Sequence, residues 1–89
     1  MAKIYYKRHE IEQQVEEIVL SVIVTAEEKD LNLDTKLGAD GLGADSLDIM
    51  EIAMHIEKTF GITITDYQMN DMQSYTVEQL CNMVEDMTK

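Results

Sequence analysis

Ser46 is the residue whose type and position could support chemistry. It stands at the predicted start of a helix, directly after Asp45. Backbone N–H groups in a first helical turn lack intrahelical acceptors, and that end of the helix dipole is positive. A phosphate joined to the Ser46 oxygen would therefore sit in a favourable field. Asp45 can itself cap the helix, which leaves the Ser46 hydroxyl free for modification. Taken alone, a serine at a helix start is more often only a capping group, so its meaning depends on the rest of the chain.

The other reactive side chains form no constellation. His9 and His55 are far apart in sequence, and His55 falls on the solvent side of its predicted helix. Cys81 falls on an inward face, where a buried and inert thiol is expected. The acidic stretch from Asp30 invites comparison with a calcium loop. Thr35 occupies the place of its required glycine and Gly41 that of its closing glutamate, so the pattern fails. No catalytic residue and no metal site is expected, and the chain does not read as an enzyme.

Helices must position these residues. From about Arg8 to Glu28, Ile11, Val15, Ile18, Val19, Val22 and Ala26 recur at spacings of three and four, the mark of one amphipathic helix. Its β-branched run Val22-Ile23-Val24-Thr25 is weak in helix propensity. Between Asp30 and Asp45 the period stops, and Leu31, Leu33, Leu37 and Leu42 suggest a long loop pinned to a core. That loop carries a duplication, Leu37-Gly38-Ala39-Asp40 and Leu42-Gly43-Ala44-Asp45. Only the second copy leads into a serine.

The helix from Ser46 to Phe60 carries two apolar stripes. Ile49, Ile52, Ala53, Ile56 and Phe60 share one direction, assigned to the core. Leu47, Met50 and Met54 lie roughly 130° round the axis. Bordered by Asp48, Glu51 and Glu57, they are expected to project outward as a strip for adaptable contacts. The alternative is that the preceding loop covers them. Gly61 ends this helix, and Thr65 and Thr76 open capping boxes for a brief third helix through Met72 and a last helix. Val77, Leu80, Cys81, Val84 and Met87 of the last helix face inward.

Composition narrows the function classes. At 89 residues one small domain is expected, spanning residues 1–89. A single cysteine excludes an internal disulfide, and no run of eighteen apolar residues is present. The start of the chain shows no apolar secretory segment, so a cytoplasmic location is expected. Eighteen acidic against seven basic residues give a net charge of −11. Lys3, Lys7 and Arg8 fall in the acid-free first eight residues, expected to form a basic extension, so the remainder is more acidic still. Such a field repels nucleic acid and anionic membrane surfaces and attracts basic protein surfaces.

Leu42-Gly43-Ala44-Asp45-Ser46-Leu47-Asp48, with Glu51 and Phe60 after it, resembles the attachment motif of bacterial acyl carrier proteins of the dissociated fatty-acid-synthase type. The resemblance covers about residues 10–87. It implies an all-α, up-and-down four-helix bundle with a long first loop and a short third helix. It also implies that Ser46, with Asp45 as part of the motif, receives 4′-phosphopantetheine from coenzyme A through a phosphodiester, installed by a phosphopantetheinyl transferase. Acyl groups would be held as thioesters, with Ile49, Ile52, Ala53 and Ile56 lining an acyl pocket. Acyl synthase and transferase enzymes with basic docking surfaces would bind Leu47, Asp48, Met50, Glu51, Met54 and Glu57. A monomer is expected.

Departures from the family pattern are Thr65 in place of a common proline, Lys58 and Thr59 where acids are usual, the extra Leu-Gly-Ala-Asp copy, an added residue near Gln73–Tyr75, and Tyr5 and Tyr6 in the basic start. They leave open housekeeping fatty-acid synthesis or a specialised acyl or polyketide-like pathway. A peptidyl or aminoacyl carrier is one alternative. An acidic helical adaptor without a prosthetic group, its Ser46 only a cap, is another.

Overall fold

The computed structural model describes residues 6–88. Among them four helices form around one core: α1 (Arg8–Val22), α2 (Ser46–Phe60), α3 (Asp66–Met72) and α4 (Val77–Thr88), with a short 3₁₀ turn at Glu28–Asp30. Helix α1 packs on α4 and α2, and α3 leans on α2. The expected helical bundle with its long first loop and short third helix is what forms, and no strand occurs among the described residues.

The period of three and four closes the core. Ile11, Val15, Ile18 and Val19 of α1 meet Ile49, Ile52, Ala53 and Ile56 of α2 and Val77, Leu80, Cys81 and Val84 of α4 in one buried cluster. Among the described residues no polar or charged residue is buried. Met83, not expected inside, joins the cluster, while Met87 packs at its edge.

Helix α1 is shorter than its periodicity suggests. It ends at Val22 rather than near Glu28. Ile23 takes the C-cap, donating its N–H to the Val19 carbonyl, and turns its side chain into the core. Val24 is then 86 % exposed. The β-branched run loses rotamer freedom in a helix, and burial of Ile23 outside the helix replaces continued winding. Arg8, where the periodicity starts the first helix, is the first residue of α1. Its guanidinium joins Glu12 and reaches Glu85 of α4. Tyr6 stacks edge-on to Phe60, ring centroids 5.0 Å apart. Lys3 and Tyr5 lie outside the described residues.

The loop between α1 and α2 is tied down by its backbone. Val77 and Glu78 of α4 donate their N–H groups to the carbonyls of Thr35 and Leu33. Two donors orphaned by helix geometry are thereby satisfied from the loop. Thr76 and Gln79 cap the same helix reciprocally. Leu37 is completely buried, with its N–H on the Tyr75 carbonyl, and Ala44 returns an N–H to Leu37. The two copies of Leu-Gly-Ala-Asp therefore do different work. The first seats the loop in the core and the second delivers Asp45 to α2.

Gly38 fits because it lacks a side chain: a Cβ there would lie 2.5 Å from the Gln73 carbonyl oxygen. Gly38→Ala forces two backbone segments apart and should lower the unfolding free energy by about 1–3 kcal/mol, measured by urea denaturation. Cys81 supplies a second expectation. Burial, aided by Glu12, Glu16 and Glu78, pushes its thiol up to about 12. The folded state holds this proton more tightly than the unfolded chain, so the contribution to stability is complete below about pH 8.5 and lost as pH rises towards 12. The stability difference between wild type and Cys81→Ala should shrink across that window in denaturation curves taken at each pH.

Candidate functional site

Two aspartates build the amino end of α2. Asp45, in extended conformation at the N-cap, accepts the Asp48 N–H at 2.9 Å. Asp48 in turn accepts the Asp45 N–H at 3.2 Å. This reciprocal pair is a capping box with aspartate at both positions. Ser46, at the first helical position, is left out of the capping. Its side chain is exposed and its hydroxyl makes no hydrogen bond among the described residues.

Ser46 opens onto a groove between α2 and α3 of about 650 Å³. Ile49, Met50 and Met69 give it apolar walls, and Asp66, Tyr67, Asn70 and Gln73 give it a polar α3 margin. An exposed oxygen at the positive end of a helix, beside an apolar groove, fits a phosphodiester-linked arm carrying an apolar load. Ser46 would hold such an arm, and the groove would receive it. Such an arm, when bound, would supply a thiol able to carry acyl groups as thioesters.

The residues marked by the sequence divide cleanly by face. Leu47, Met50 and Met54 are 66 %, 49 % and 62 % exposed, and the preceding loop leaves them uncovered. Ile52, Ala53 and Ile56 are completely buried in the core, and of the four residues expected to line the acyl pocket only Ile49 reaches the groove. The rim acids differ among themselves. Asp45 and Asp48 cap one another, whereas Glu51 is exposed and makes no hydrogen bond or ion pair among the described residues. Glu57 is half-buried and turned towards the α2–α3 link, where its carboxylate accepts the Ile64 N–H at 2.8 Å.

The α3 side of the groove escaped the sequence reading. The capping box of Thr65 and Gln68 marks where α3 begins, but seven residues are too few for periodicity to reveal a face. The one signal in the sequence is a large aromatic, Tyr67, just after the Thr65 cap, and the structure leaves it 87 % exposed. His9 and His55 are exposed, and no cluster that could hold a metal ion occurs among the described residues. No described helix is long and apolar enough to cross a membrane.

Comparison with known proteins agrees with this geometry. A family profile described as "Phosphopantetheine attachment site" matches residues 13–84. The acyl carrier protein of Coprothermobacter proteolyticus is 32 % identical over 79 residues, 89 % of this chain and 92 % of that one. That of Petrotoga mobilis is 31 % identical over 77 residues, 86 % of each chain. Acyl carrier protein 2, chloroplastic, of Spinacia oleracea is 34 % identical over 76 residues, 85 % of this chain. This chain spans only about 55 % of the length of that chloroplast relative. With an exposed serine at the head of α2, a profile match over most of its length and bacterial relatives aligned over most of both chains, the chain belongs to the acyl carrier proteins.

Proposed function

We propose that this protein carries acyl intermediates as thioesters on a 4′-phosphopantetheine arm joined to Ser46 Oγ. The observation that carries the assignment is a contrast among its three serines. Ser21 Oγ donates to the Ile18 carbonyl at 2.8 Å and Ser74 Oγ to the Asp71 carbonyl at 2.9 Å. Ser46 Oγ is exposed and uncommitted, because Asp45 and Asp48 have taken over the capping.

A carrier of this family works with a phosphopantetheinyl transferase and with acyl-handling enzymes. Leu47, Met50 and Met54, with Asp45, Asp48 and Glu51 around them, offer those enzymes an apolar strip edged with negative charge. Partners with a basic rim and an apolar centre match it. Exposed charge pairs raise the rate of encounter more than the residence time, which suits a carrier that must leave each enzyme after one step. Ile49 begins the acyl site at the groove, and Ile52, Ala53 and Ile56 stand behind it as the apolar surface a longer chain would meet. The protein acts as a cytoplasmic monomer in fatty acid synthesis or a related acyl pathway. Its contribution is tethering and shielding, not bond-making.

The test is intact mass after incubation of apo-protein with coenzyme A and a promiscuous phosphopantetheinyl transferase. Wild type should gain one phosphopantetheinyl group and Ser46→Ala none. Native thiol titration should then find one reactive thiol, the arm, with Cys81 reacting only after denaturation. An unmodified, folded wild type would leave an acidic adaptor as the reading. Charge reversal at Glu51→Lys should slow loading several-fold at low ionic strength, with the deficit shrinking as salt rises through the physiological range. Stopped-time loading assays across a salt series would reveal it.

A further inference from the structure

Helix α3 forms one wall of the groove, yet at seven residues it is too short to hold its place unaided. Its carboxyl end is anchored by Met72, completely buried, and by the Tyr75 carbonyl, which takes the Leu37 N–H. The amino end needs a separate tie. After Gly61, whose backbone is left-handed (φ 69°), the link runs without helix or strand to Thr65, the extended cap of α3. Ile64 drops its side chain into the core at 3 % exposure. Its N–H sits in a segment with no regular ladder to receive it, and a buried backbone donor without a partner is costly.

Glu57 supplies that partner. Its Oε2 accepts the Ile64 N–H at 2.8 Å, and its backbone carbonyl accepts the Gly61 N–H at 2.9 Å. The turn between α2 and α3 therefore closes on Glu57 from both sides. By position along α2, three residues after Met54, it belongs to the outward strip. Its carboxylate is instead spent inside the molecule.

We propose that Glu57 is a positioning residue for α3, setting the width of the groove beside Ser46, and is not a charge offered to partner enzymes. The significance for loading rests on the function proposed above. The effect on α3 does not.

Two substitutions separate the roles. Glu57→Asp keeps the charge and loses reach, whereas Glu57→Gln keeps an acceptor oxygen at the same reach and loses the charge. Amide hydrogen exchange of the full-length apo-protein by NMR reads the tie directly. Glu57→Asp should speed Ile64 exchange by roughly tenfold or more and shift the resonances of Tyr67, Met69 and Asn70, while Glu57→Gln stays within roughly threefold of wild type. Transferase loading should follow the same order, slowed in the Asp variant and near normal in the Gln variant. The reverse order, with Gln slowed and Asp normal, would make Glu57 a docking charge and overturn the proposal. Unchanged Ile64 exchange in Glu57→Asp would overturn it as well. Failure of Ser46 to load would leave the exchange result intact, so the two ideas fail separately.

Discussion

Burial of Ile49, Ile52, Ala53 and Ile56 fixes the rotation of α2 about its own axis, and the rest of the site follows from that rotation. A helix with one stripe locked in the core has no freedom to choose what its other faces show. Leu47, Met50 and Met54 must then look outward, and Ser46 must open onto the α2–α3 groove. The energy comes from the apolar stripe, at about 25 cal/mol for each square ångström removed from water. The function comes from the faces that this burial leaves exposed.

The long loop solves a different problem. Its carbonyls at Leu33 and Thr35 receive the first N–H groups of α4, and Leu37 fills space in the core. A segment that looks like a connection is thus part of the packing, and it carries Asp45 to its capping position. The capping box matters chemically because it relieves the serine of structural duty. In most helices a serine at this end is held by the backbone it caps. Here two carboxylates do that work, and the hydroxyl beside them stays available.

Charge is distributed with little internal compensation. Arg8, joined to Glu12 and reaching Glu85, is a cation that spans the α1–α4 seam. Glu16 is raised from its ordinary value by partial desolvation and by the nearby Glu12 and Glu28. The same acidity that leaves the fold self-repelling favours encounter with basic surfaces. Cys81 stays out of this chemistry because burial keeps its thiol protonated, so a thiol borne on an arm at Ser46 would have no competitor on the native surface.

Much of this was legible in the chain. The spacing of three and four located α1, α2 and α4 and sorted the two stripes of α2, because burial demands one continuous face per helix. The Thr-x-x-Gln boxes marked the starts of α3 and α4. Gly-Ala-Asp-Ser-Leu-Asp pointed to a particular serine. What stayed hidden depends on contacts between segments distant in sequence. The end of α1 was decided by whether Ile23 gained more from burial than from another helical turn. The α3 wall of the groove and the inward turn of Glu57 were decided by where Ile64 anchors the link. Periodicity describes one helix against an averaged core, so it determined which faces are buried. Only the tertiary structure, by placing a backbone N–H within reach of a carboxylate, decided which position of the outward strip turns its side chain back to the α2–α3 link.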